Sequence, residues 1–245
     1  MKSRMTTFIP IIMSKSYIDP RILRGMEKQL RLRQDRLNTG EKSIGWKVGF
    51  GAPAALERLR LDAPLIGFLT NKTLLPSNAA VSITDWIKPA MEPEIAVYMG
   101  KDLTNPSDRE SVQAAIASLG PAIELADIHF PPDDVEIILA GNIYNRYIIL
   151  GRADSSRAGC VLNGLTGRIS RNGQEMPPVT ELQALTGDII DIVSHTANLL
   201  SMLGETLRAG EFIITGSIVP PLLIESGDEI HYDLDPIDTV SIKVR

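Results

Sequence analysis

Two carboxylates stand two residues apart in MEPEIAVYM, Met91–Met99, with a proline between them. Successive side chains of an extended chain point to opposite faces, so Glu92 and Glu94 share one face while Met91, Pro93, Ile95 and Val97 take the other. Ala96 and Tyr98 continue the acidic face, which marks the pair as placed rather than merely solvated. A third acid, Glu124, lies in PAIELAD, where Ile123 and Leu125 form one face and Glu124 shares the other with Ala122 and Ala126. Such a carboxylate must be paired, protonated or bound to a cation, because burying it bare costs on the order of several kcal/mol. With Glu92 and Glu94 it would complete the all-oxygen set that Mg2+, Ca2+ or Mn2+ prefers. Read alone, an E-x-E pair also fits solvated or salt-bridged acids on a strand.

Other residues carry weaker chemistry. In GWKVGFG, Lys47 points away from Trp46 and Val48 and stands between Gly45 and Gly49, so it is either a solvated lysine or a cation with room for an anionic ligand beside it. GEFIITGSIVPP reads as a buried strand, Phe212–Thr215, running into a turn at Gly216. Thr215, Ser217 and nearby backbone N–H groups there would either bind an anionic group or close a local turn. Arg146 in GNIYNRYIILG either pairs with an acid or, facing a pocket, holds a second substrate carboxylate. His195, between Ser194 and Thr196 in a helical pattern, reads as structural, and Cys160, the single cysteine, as an inert thiol.

Positioning these side chains requires a scaffold that the pattern partly outlines. Asp19-Pro20 caps and opens a helix that ends at Thr39-Gly40. Gly45–Gly51 reads as a short strand and Pro53 opens a short helix, so residues 1–70 form a small N-terminal α/β segment. From about Ile66 short β-like runs follow, at 80–83, 87–99, 122–126, 147–150, 212–215, 229–234 and 240–244. Ser107 to Glu110 reads as a capping box for a helix with Val112, Ala115, Ile116 and Leu119 on one face, and Ile189, Val193, Ala197 and Leu200 mark a longer helix ending at Gly204. The strands are not interleaved with helices at βαβ spacing, which predicts an α+β fold with a mixed or antiparallel β core over residues 71–245.

Composition narrows the function classes. The 245 residues carry a net charge of −5 with no basic stretch interleaved with aromatics, so nucleic acid is excluded as a partner. The apolar Phe8–Met13 run is too short to span a membrane and lacks a signal-peptide pattern, which predicts a cytoplasmic protein with no membrane association. One cysteine and three histidines without HExxH-like spacing disfavour zinc and leave carboxylates as ligands.

In chain order, GWKVGF, EPEIAV, PAIELAD, GNIYNRYIILG and GETLRAGEFIITGSIVPPLLIESGDEI resemble the fumarylacetoacetate hydrolase superfamily, in its 2-keto-4-pentenoate hydratase and 4-oxalocrotonate decarboxylase branch. The resemblance runs from about Gly45 to the C-terminus. It implies a mixed β-roll catalytic domain behind the small N-terminal segment, with Mg2+ or Mn2+ held by Glu92, Glu94 and Glu124. It also implies that Lys47 is the family's catalytic strand lysine and that Asn142 is a retained family position, so that Asn142, with Thr215, Gly216, Ser217 and Arg146 as read above, is expected along a substrate site for a short 2-oxo or 2-hydroxydienoic acid. A homo-oligomeric hydratase of aromatic catabolism, working through a metal-stabilised enolate, is the implied activity. Decarboxylation of a 2-oxo diacid, hydrolysis of an acylpyruvate and a non-catalytic binding subunit are the alternatives. The substrate end departs from the family: Asn71-Lys72 stand where hydratases carry an acid, Ile143 to Arg146 bring bulk and charge after Asn142, and Leu185-Thr-Gly-Asp replaces a G-H-P-like helix start.

Overall fold

The computed structural model describes residues 18–106, 108–130 and 133–245, so the Phe8–Met13 run and Ser107 lie outside the described residues. Helix α1 (Pro20–Asn38) forms where the cap signal places it, with the Asp19 carboxylate accepting the Arg21 N–H at 2.8 Å. Strand β1 (Ser43–Gly49) and helix α2 (Pro53–Leu59) follow, then β2 (Leu65–Thr70), β3 (Leu74–Leu75), β4 (Ala79–Val81) and β5 (Pro89–Met99). The middle of the chain forms α3 (Arg109–Ala115), β6 (Ile116–Asp127), α4 (Val135–Ala140), β7 (Asn145–Leu150), β8 (Thr166–Arg171) and β9 (Gln174–Glu175). The last part holds α5 (Ile189–Met202), β10 (Phe212–Ser217), β11 (Leu222–Leu223), β12 (Glu229–Asp235) and β13 (Asp238–Val244).

Helix α3 corrects the sequence reading. It is capped by the Asp108 carboxylate, which accepts the Ser111 N–H at 2.7 Å, and it stops at Ala115. Ile116 and Leu119, expected on its apolar face, belong instead to β6, where pairing with β5 from Ile116 onward outweighs a helical continuation. Strand β2 and helix α4 have no counterpart in the sequence reading, because the fully buried LIGFLT run does not alternate and VEIILA is too short to show a period.

Two sheets build the α+β fold. One has the order β2-β1-β10-β5-β6-β7-β3, with β11 paired to β5; the other has the order β4-β13-β12-β8-β9. The first mixes a parallel β1–β10 pair with antiparallel neighbours. The expected boundary at residue 70 falls at the end of β2, and strands from both sides of it share this one sheet. One apolar cluster joins the sheets, running from Met91, Ile95 and Ile123 to Ile169, Tyr232 and Ile242. The opposite face of β5 and β6 carries a smaller cluster, including Ala96, Ala122 and Ile214, and beside it the acids.

Candidate metal centre

Strands β5 and β6 pair with Glu92 opposite Glu124 and Glu94 opposite Ala122. That register brings one carboxylate oxygen from each of Glu92, Glu94 and Glu124 within 4.8 Å of the other two. Glu94 and Glu124 are fully buried, whereas Glu92 is half-buried and lines a cavity of about 420 Å³.

Each buried acid has one oxygen fixed and one left over. Glu94 Oε2 accepts the Gly216 N–H at 2.6 Å, and Gly216 holds a φ of +97°, a backbone state that favours glycine. Glu124 Oε1 accepts from Lys47 Nζ and from Asn145 Nδ2, the latter at 2.8 Å. Glu94 Oε1 and Glu124 Oε2 are buried without a hydrogen-bond partner among the described residues. Electrostatics agree with that imbalance. Burial, then the Glu124 charge, push the Glu92 carboxyl up to about 7, with Lys47 opposing. Burial and the charges of Glu124 and Glu92 hold Glu94 well above the usual carboxylate range, against Lys47 and the Gly216 N–H. Three converging acids and one lysine leave an excess of negative charge that a divalent cation would neutralise, and the two spare oxygens fit it as hard ligands.

Lys47 is 2% exposed and also donates to the Ile143 carbonyl at 2.9 Å. Its room comes from Gly67, its partner across the β1–β2 pair, where a Cβ would lie 2.8 Å from Lys47 Cγ and 2.8 Å from Asn142 Oδ1. The Ile143 carbonyl is turned toward Lys47 by three successive left-handed residues, Asn142, Ile143 and Tyr144, with φ of 55°, 50° and 61°. A β-branched residue in this region costs on the order of 1–3 kcal/mol, so the surrounding contacts must enforce the turn.

The remaining predicted residues divide. Thr215, Gly216 and Ser217 line the cavity with Lys47 and Glu92. Thr215 Oγ1 is committed to the Ile95 carbonyl at 3.1 Å, while Ser217 Oγ is buried with no partner among the described residues. Asn142 is not a cavity residue: its amide clamps the β2 backbone, accepting the Phe68 N–H at 2.8 Å and donating to the Phe68 carbonyl at 2.9 Å. Arg146 is not one either. It donates to Asp127 at 2.9 Å and lies over the Trp86 ring, because Asp127, 1% exposed, needs a countercharge. Burial opposes ionisation of Asp127, but the Lys88 N–H, Arg146 and the Ile87 N–H outweigh it and hold the carboxyl below its usual range.

His195 Nε2 contacts the Pro64 carbonyl at 3.0 Å and burial lowers its pKa, in keeping with a structural role. Burial raises the Cys160 thiol to about 11, as expected of an inert cysteine. Asn71 accepts the Lys42 N–H at 2.7 Å and does not line the cavity. Sequence reasoning passed over Asn145, Arg58, Lys88 and Tyr144. Lys88 carried a signal, since it shares strand parity with Glu92 and Glu94, whereas the others depend on contacts between distant segments.

A family model described as fumarylacetoacetate (FAA) hydrolase C-terminal matches residues 43–245. The chain belongs to the fumarylacetoacetate hydrolase family. Among its relatives within the family, a 2-hydroxyhexa-2,4-dienoate hydratase of Comamonas testosteroni is 31% identical over 220 residues, covering 87% of this chain and 81% of the relative. A 4-oxalocrotonate decarboxylase of Pseudomonas putida is 29% identical over 222 residues, covering 88% and 82%. The solved 4-oxalocrotonate decarboxylase from Pseudomonas putida G7, complexed with magnesium and adipate, superposes with a TM-score of 0.83 at 27% identity, over 91% of this chain and 86% of that one. These fumarylacetoacetate hydrolase relatives are named as enzymes, hydratases and decarboxylases alike. No helix among the described residues is long and apolar enough to cross a membrane.

Proposed function

We propose that this enzyme is a divalent-cation-dependent lyase of the hydratase type, acting on a short 2-oxo or 2-hydroxydienoic acid with Mg2+ or Mn2+ held by Glu92, Glu94 and Glu124. The observation that carries this reading is the pair of buried, unpartnered oxygens, Glu94 Oε1 and Glu124 Oε2, beside the half-buried Glu92 at the cavity. The cation supplies Lewis-acid stabilisation of enolate charge next to the substrate carboxylate. Lys47 holds Glu124 in its ligating pose and places positive charge at the cavity floor. Gly216 orients Glu94 through its N–H, and Ser217 Oγ is the hydroxyl left to meet a substrate oxygen. Apolar walls that include Val48, Ile128, Leu185 and Val219 lower the local polarity, which strengthens the charge interactions beside them. From the family resemblance we further assign the enzyme to aromatic-compound breakdown, in the cytoplasm, as a homo-oligomer.

Titration calorimetry of Mn2+ and Mg2+ into the metal-free protein, with and without oxalate as a bidentate mimic of an enolised 2-oxo acid, tests the reading. Cation binding, oxalate binding only in its presence, and loss of both in Glu92→Gln are expected. No cation binding to the wild type would make the acids structural.

One observation favours decarboxylation of a 2-oxo diacid as a second reading. Among the described residues Glu92 is the only carboxylate lining the cavity and no histidine lines it, so with Glu92 on the cation neither a carboxylate nor an imidazole remains to take a proton from water. Loss of CO2 needs no such base. Assaying CO2 release against consumption of a 2-hydroxydienoate separates the two.

A further inference from the structure

We infer that Phe50 and Tyr144 form an aromatic wall that sets substrate specificity, so that the acid taken by this site carries an aryl ring beyond its 2-oxo head. This rests on the metal-centre reading above and deepens it by naming the tail of the substrate.

Phe50 follows β1 directly and stands between Gly49 and Gly51. Of these three residues it is the phenylalanine, not either glycine, that takes the left-handed backbone state, with a φ of 60°. Glycine adopts that state without steric cost and a bulky side chain does not. A ring held against its backbone preference points to a role for what it touches. The half-buried Phe50 packs on the apolar cluster that includes Leu59 and Tyr144, and it lines the cavity. Tyr144 meets it from the turn after α4, also in the left-handed state at φ 61°, with the ring centroids 6.2 Å apart and the planes 46° to each other. Phe130 fixes Tyr144 in turn: their centroids are 4.4 Å apart, and the Tyr144 hydroxyl donates to the Phe130 carbonyl at 3.2 Å. Gly141 makes room for that support, since a Cβ there would lie 2.5 Å from Phe130 Cζ.

Size and polarity point the same way. The cavity of about 420 Å³ lies within the range of roughly 300–1,000 Å³ in which pockets hold drug-sized ligands, more than a short dienoic acid needs. Glu92, Lys47, Thr215 and Ser217 give the lining polar groups for a 2-oxo acid head, whereas Phe50 and Tyr144, with Ala55 from α2, give it apolar surface for a tail. A short acid chelated by its head would leave the two rings without a partner. An aryl tail meets them in the offset or edge-to-face contacts that aromatic rings prefer.

The test uses the full chain loaded with Mg2+ and calorimetric titration of oxalate, 2-oxopentanoate, 2-oxo-4-phenylbutanoate and 2-oxoadipate. The wild type is expected to bind 2-oxo-4-phenylbutanoate about tenfold or more tighter than 2-oxopentanoate, and tighter than 2-oxoadipate. Phe50→Leu should reduce the aryl preference to about threefold or less, and Phe50→Gly, which removes the ring and suits the left-handed backbone, should do the same if the leucine variant fails to fold. Tyr144→Phe keeps the ring and is expected to keep the preference. Oxalate, which has no tail, reports whether the metal end of each variant is intact. A wild type that binds the aryl acid no tighter than 2-oxopentanoate, or less tightly than 2-oxoadipate, overturns the aromatic wall while leaving the metal centre standing, as does an aryl preference that survives removal of the Phe50 ring. Failure of oxalate to bind the Mg2+-treated wild type would overturn the metal centre itself, and the wall's role with it.

Discussion

Glu92, Glu94 and Glu124 are three carboxylates converging beside a single lysine, Lys47. Glu92 is pushed up to about 7 by burial and by Glu124, and burial with the charges of Glu124 and Glu92 holds Glu94 well above the usual carboxylate range. A cation binds the ionised acids, so binding must expel whatever protons they hold. Affinity for Mg2+ or Mn2+ is therefore expected to fall about tenfold or more between pH 8 and pH 6, one decade per pH unit for each proton displaced. Calorimetry in buffers of different ionisation enthalpy checks this by counting protons released at pH 7; a count near zero would show that the acids are already ionised without the cation. The residue types were legible in the sequence, since two acids on one strand face and a third in an apolar strand are visible as patterns. Arg146 was not, because whether an arginine meets a substrate or a buried Asp127 depends on a fold contact.

At the scale of elements, β1, β2 and the turn after α4 act as one clamp on Lys47. Gly67 gives the lysine its space, Asn142 ties the turn to Phe68, and the Ile143 carbonyl accepts a hydrogen bond from the lysine ammonium. Gly67→Ala would place a methyl group 2.8 Å from both Lys47 Cγ and Asn142 Oδ1. Overpacking of this kind costs about 1–3 kcal/mol, and the displacement of Lys47 from Glu124 should weaken cation binding as well. Urea denaturation and cation titration of the variant measure the two effects; a change in neither would mean that the clamp has slack. None of these contacts is local. Strand β1 was legible because glycines bracket it, yet its neighbours, β10 in parallel and β2 in antiparallel, follow from pairings that one segment's pattern does not encode.

For the whole molecule, the acid cluster opposes folding when no cation is present. A carboxyl whose folded pKa lies above its unfolded value keeps its proton in the native state, so its stabilisation is full below about 4.5 and is lost as pH rises through about 7 for Glu92. The melting temperature of the metal-free protein should accordingly fall between pH 5 and pH 8. Cation at 100 times its dissociation constant adds about 2.7 kcal/mol, which for a chain of this size raises the melting temperature by roughly 5–10 °C. Differential scanning calorimetry with and without Mg2+ at both pH values checks the pair of effects, and the cation's gain should be larger at pH 8. A melting temperature independent of both would indicate that the acids are neutralised some other way.

The sequence by itself determined the α+β class, the ends of α1 and α5, most of the strands and the candidate acids, because caps, helical period and strand alternation are written in neighbouring residues. It also carried the family, through segments whose order is preserved along the chain. Only the tertiary structure decided that Glu124 stands opposite Glu92, that Lys47 is spent on Glu124, that Asn142 and Arg146 serve the scaffold, and that Lys88 and Arg58 border the cavity. Strand register and the closing of one sheet onto another depend on hydrogen bonds and packing between distant residues, and those partners are chosen only when the chain is folded.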